Sequence, residues 1–91
     1  MIDRLRDPEE AAAYLEAVIE EGDQAAIMLA IRNVAQARGG IAEVAKKAKL
    51  TREATYKMLS KSGNPELRSL KALLAATGLR IAVKPIEKRA A

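Results

Sequence analysis

The chain contains no cysteine, no histidine, no phenylalanine and no tryptophan, and only two tyrosines. Without cysteine there are no disulfides, no thiolate nucleophile and no thiolate metal ligand. Without histidine the commonest metal ligand and the usual general base are both missing. Zinc-finger and catalytic readings therefore start weak, and no metal or other cofactor is expected. The carboxylate pairs Glu9–Glu10 and Glu20–Glu21 do not revive catalysis, because neighbours in sequence point to different sides of a helix. No apolar run approaches the roughly 20 residues that span a bilayer. The opening Met-Ile-Asp-Arg-Leu-Arg-Asp also lacks the apolar region of a signal peptide. A cytoplasmic protein with no membrane partner is expected.

What is present is aliphatic. Apolar residues make up 49% of the chain and come mainly from Ala, Leu, Ile and Val, a composition that suits a helical core. At 91 residues the chain is long enough for one domain with a modest core. The net charge of +4 conceals a division. Residues 1–23 carry two basic and eight acidic side chains, a net −6, and residues 24–91 carry a net +10. An acidic arm thus precedes a basic body. The body lowers the cost of approaching polyphosphate, whereas the arm would repel it and suits either a basic protein partner or plain solvation.

Asp7-Pro8-Glu9-Glu10 opens a first helix with a cap, a proline at the first helical position and acids that complement the dipole. Its apolar face would be Ala11, Tyr14, Leu15, Val18 and Ile19, ending at Gly22-Asp23. A second helix, about 24–38, would bury Ile27, Ala30, Ile31 and Val34 and stop at Gly39-Gly40. A last helix from about Glu66 or Ser69 to Thr77 would bury Leu67, Leu70, Leu73 and Leu74, with Gly78 as its stop.

Between them lies the most informative stretch, IAEVAKKAKLTREATYKMLS, Ile41 to Ser60. Ile41, Val44, Ala45 and Ala48 form one helical stripe. Thr51 then caps a further helix starting near Arg52. Its inward stripe would be Ala54, Thr55, Met58 and Leu59, leaving Arg52, Glu53, Tyr56, Lys57 and Ser60 outside. A helix-turn-helix that presents such a row to the DNA major groove accounts for this pattern, since arginine can bond a guanine edge bidentately. An ordinary helical hairpin with a solvated face is the alternative. In the loop that follows, Lys61, Ser62 and Asn64 suit flanking phosphates or simple solvation, and Gly63 suits a positive φ.

After Gly78 the period changes, with Leu79, Ile81 and Val83 alternating with polar or small residues up to Pro85. This predicts one short strand, residues 79–84. A lone strand needs a partner, either the same strand of a second copy or another packing surface. Pairing across a two-fold axis would set two reading helices about 34 Å apart, one DNA turn. Residues 85–91 read as a basic tail.

Four segments, DPEEAAAYLEAVIEEGD, LAIRNVAQARGG, LTREATYKMLS and GNPELRSLKALLAATGLRIAV, together resemble the HigA-like addiction-module antidote proteins, a branch of the lambda-repressor-like (Cro/cI, XRE-type) helix-turn-helix families. The resemblance implies an all-α, five-helix domain over residues 1–91. It would comprise an acidic helical arm (1–23), a helix-turn-helix core (24–78) and a C-terminal strand (79–84) that pairs across a homodimer through Leu79, Ile81 and Val83. It further implies an antitoxin that neutralises a small basic RelE/ParE-like toxin and represses its own operon by binding a palindromic double-stranded operator, with reading residues at Thr51, Arg52, Glu53, Tyr56 and Lys57. A stand-alone prophage-type repressor without a toxin is the alternative. Two positions depart from the usual pattern. Lys49 stands where glycine is usual, so the turn must carry a non-glycine left-handed residue or rearrange. Thr55 occupies a usually apolar site, so its hydroxyl must find a backbone carbonyl.

Overall fold

The structure, a computed structural model, describes residues 3–86. A 3-10 turn at Arg4–Arg6 leads into five helices: α1 (Pro8–Glu21), α2 (Gln24–Ala37), α3 (Ile41–Lys47), α4 (Arg52–Met58) and α5 (Leu67–Thr77). No strand is found among the described residues. The strand expected over residues 79–84 is therefore not found: residues 79–86 run without regular structure, and a ladder there would need a second backbone. Most of the tail expected over 85–91 lies outside the described residues.

The helix starts follow from their caps. The Asp7 carboxylate accepts from the Glu10 amide at 2.9 Å, and Asp23 does the same for Ala26 at 2.9 Å, each satisfying one orphan donor of a first turn. Gly39 and Gly40 separate α2 from α3 at φ of 130° and 94°, conformations that a Cβ disfavours. Gly78 ends α5 in the left-handed region, with its amide and that of Leu79 donating to Ala75 and Leu74 carbonyls.

α1 packs on α2 and on the 3-10 turn, and α3 sits between α4, α5 and α2. The core runs from Leu5, Ala11 and Leu15 through Met28, Ile31 and Val34 to Ile41, Val44, Leu59 and Leu73. The acidic segment is therefore part of the body, and the 3-10 turn that buries Leu5 carries no period that a sequence reading detects. Arg38 fastens this end together: its guanidinium donates to the Thr77 carbonyl at 2.8 Å and to the Arg6 carbonyl. Ile19 and Leu67 were expected inside but are 57% and 65% exposed, because each lies at the edge of its stripe, beyond the reach of the neighbouring helix.

Gly63 also differs from expectation. Its φ is not positive; it is needed for space instead. A Cβ there would lie 2.0 Å from the Met58 carbonyl oxygen and 3.1 Å from that of Lys57. The loop thus folds directly over the end of α4, and Gln24 Nε2 on α2 donates to the Gly63 carbonyl at 2.6 Å. Gly63→Ala should cost about 1 to 3 kcal/mol as the loop is pushed off α4. Denaturant unfolding measures this, and an unchanged midpoint would contradict the close approach.

Candidate nucleic-acid interface

α3 and α4 each have seven residues, too few to hold their shape alone. α4 is fixed by its cap and its inward side. The Thr51 hydroxyl accepts from the Ala54 amide at 3.0 Å. Thr55 is fully buried, and its own hydroxyl donates to the Thr51 carbonyl at 2.8 Å, so the polar side chain at this core position is satisfied. Met58 and Leu59 complete the buried side. The turn before α4 carries Lys49 at φ 60°, so of the two outcomes open there the turn keeps a left-handed non-glycine residue and does not rearrange.

With α4 fixed, Arg52, Glu53, Tyr56 and Lys57 stand exposed in one row, beside the exposed cap Thr51. Ala54 joins them. It was expected inside, but the buried arc is only three residues wide at i, i+3 and i+4, and Ala54 falls on its outer flank. A short apolar side chain in such a row can meet a thymine methyl as well as water. Lys61, Ser62 and Asn64 are exposed in the following loop. Ser60 departs from the outer row: it is half-buried, and its hydroxyl donates to the Lys57 carbonyl at 2.8 Å, so it terminates α4.

Arg32 on α2 belongs to the same region and was not singled out from the sequence. Its Cζ lies 5.7 Å from the centroid of the Tyr56 ring, within cation–π range. Nothing in the local sequence signals this, since the two residues are on different helices. The expected pairing residues behave unequally: Leu79 is half-buried against the core, with its amide committed to the end of α5, whereas Ile81 and Val83 are exposed.

The charges sort by location. Among the described residues the ion pairs are Arg4–Glu10 at 3.7 Å, Arg6–Asp3 at 3.8 Å and Lys84–Glu16 at 3.0 Å. Each uses an acid from residues 1–23, and none uses a cation of α2 to α5. The cations of α2 to α5, apart from the half-buried Arg32 and Arg38, are left exposed to water. A concavity of about 600 Å³ between the ends of α3 and α5, lined by Arg38, Lys47, Lys49 and Gly78 among others, includes no residue of α4. No cluster of three or more metal-ligating side chains occurs among the described residues, nor is any described helix long and apolar enough to cross a membrane.

The left-handed Lys49 generates a direct test. Lys49→Gly removes a strained Cβ from a surface turn and should raise stability by up to about 1 kcal/mol in thermal or denaturant unfolding. A loss of stability would show that the Lys49 backbone carries no strain.

Comparison with known proteins gives a family. The family described as probable addiction module antidote protein matches residues 1–85. The chain is 30% identical over 82 residues to an uncharacterised protein of Haemophilus influenzae, covering 90% of this chain and 84% of that protein. No solved structure matches. The family match spans every helix described above, and the chain belongs to the family of probable addiction module antidote proteins.

Proposed function

We propose that this antidote is a sequence-specific DNA-binding antitoxin in which α3 and α4 act as a helix-turn-helix of the lambda-repressor-like kind. The observation that carries the reading is the row Arg52, Glu53, Ala54, Tyr56 and Lys57, exposed on a helix whose opposite side is locked into the core. Arg52 would bond a guanine edge, Ala54 would meet a thymine methyl, and Lys57 would take a guanine or a phosphate. Thr51, Lys61, Ser62 and Asn64 would bond flanking phosphates. The unpaired cations of the body supply the salt-sensitive attraction common to all sequences.

The chain would act as a homodimer on a palindromic operator of its own promoter. Exposed Ile81 and Val83 suit pairing with the same stretch of a second copy. Leu79 would stay with its own chain. The toxin would be small, basic and RelE/ParE-like, held by the acidic face of α1, where Glu9, Glu16 and Glu20 are exposed along one side of the exposed Ile19. Membership in an antidote family favours this over a stand-alone repressor. The role is one of binding, with no catalytic step.

Arg52→Ala should weaken operator binding by about 1 to 3 kcal/mol and relax preference at one base pair, while Lys57→Ala should weaken binding with less effect on preference. Both variants should keep the wild-type melting temperature. Unchanged affinity in both would place the reading surface elsewhere. For the toxin half, reversing Glu9, Glu16 and Glu20 to Lys should slow association with the product of an adjacent toxin gene at low salt, since rim charges act mainly on association rate. Association as fast as wild type would remove the electrostatic role of α1.

A further inference from the structure

Beside the outer row of α4 lies a groove of about 330 Å³, with Ala25, Ala26, Leu29 and Leu59 as its floor and Arg32 and Lys61 among its lining. It joins the first half of α2 to the end of α4, and Gln24, next to Ala25, bonds the loop that carries Lys61. Arg32 contrasts with Arg38, whose guanidinium is taken up by backbone carbonyls. The half-buried Arg32 sits over the Tyr56 ring, and a contact with a ring face uses none of its five N–H donors. Neither Arg32 nor Lys61 forms an ion pair among the described residues.

We propose that this groove is a seat for the sugar-phosphate backbone of duplex DNA, in which Arg32 and Lys61 bind phosphate oxygens and the apolar floor accepts the sugar. The proposal rests on α4 being the DNA-reading helix and adds a contact from α2, outside the α3–α4 pair. Charge complementarity selects the occupant: the lining carries two cations and no anion, which suits a polyanion with an apolar sugar between its charges. Position agrees, because Arg32 touches Tyr56 of the outer row, so DNA lying along α4 would pass beside the groove. Tyr56 holds the guanidinium in place before DNA arrives. Lys61 projects from a loop that Gly63 and Gln24 hold against α4. The two phosphate ligands are thus fixed relative to the reading row by different elements.

A phosphate contact is independent of sequence and carries one released counterion, so its loss has a distinct signature. Wild type, Arg32→Ala, Arg32→Lys, Lys61→Ala and Arg52→Ala are titrated across a salt series against two probes. One is a mixed-sequence duplex of about 30 base pairs, and the other is a duplex that the wild type selects from a random pool. Arg32→Ala and Lys61→Ala should each lower affinity for both duplexes by about tenfold, the size of one charge-assisted hydrogen bond. Each should flatten the slope of log K against log salt by about 0.9. Arg32→Lys should keep the slope, and Arg52→Ala should change the ratio between the duplexes. Melting temperatures of all variants control for folding. If the wild type selects no duplex and binds neither probe, the DNA reading itself fails and the groove proposal falls with it. If wild type binds and Arg32→Ala keeps the full slope, only the groove assignment is overturned. It is equally overturned if Arg32→Ala changes the ratio between duplexes alone, since Arg32 would then act by positioning Tyr56, or if the salt slopes hold and toxin binding weakens instead.

Discussion

The DNA-reading surface proposed for this protein depends on the burial of one side of a seven-residue helix. An isolated helix of that length is not stable in water, so the outward row of α4 exists only while Thr55, Met58 and Leu59 are held in the core. Thr55 is the sensitive member. A hydroxyl at a fully buried position would be costly without a partner, and the carbonyl of the cap residue Thr51 supplies one. At one end the left-handed Lys49 turns the chain into α4. At the other, Gly63 lets the loop close over the last carbonyls, where a side chain would collide. The row is therefore a tertiary property, set by contacts that lie behind it.

Charge is the second organising feature, and it is arranged along the chain. The acids of residues 1–23 lie mainly on α1 and draw Arg4, Arg6 and Lys84 into the ion pairs of the described residues. The cations of α2 to α5 form none among those residues. Such exposed pairs contribute little to stability. The excess of acids in residues 1–23 and of cations in residues 24–91 places both signs of charge on one small body, and Arg38 keeps the N-terminal segment attached to that body through the Arg6 and Thr77 carbonyls. At physiological salt the Debye length is about 8 Å, so each surface acts on what comes close to it. That separation is what a protein needs if it is to hold a basic partner on one side and a polyanion on another.

Much of the fold was legible in the sequence because its signals are local. Asp7 and Thr51 declare helix starts through their own side chains, and Gly39, Gly40 and Gly78 declare stops through their backbone freedom. The demands at Lys49 and Thr55 could also be read, since each follows from one residue type at one turn or core position. What could not be read depends on neighbours from elsewhere. Ile19 and Leu67 have the right period but no helix over them. Gly63 has an ordinary φ and is fixed by the Met58 carbonyl. Leu79 joins the end of α5, and Arg32 reaches Tyr56 across two helices. The row on α4 was legible apart from Ala54 and Ser60, whose placement is set by the width of the buried arc and by the closing turn.

We propose α4 and its flanking residues as the DNA-binding surface. It is tested most directly by following the backbone amide resonances of the whole chain as duplex DNA is titrated in. Shifts should concentrate at residues 51–57, at the loop 60–64 and around Arg32, while α1 and the stretch 79–86 stay largely unmoved below saturation. Shifts centred on α1, or no saturable response at low salt to a duplex selected from a random pool, would contradict it.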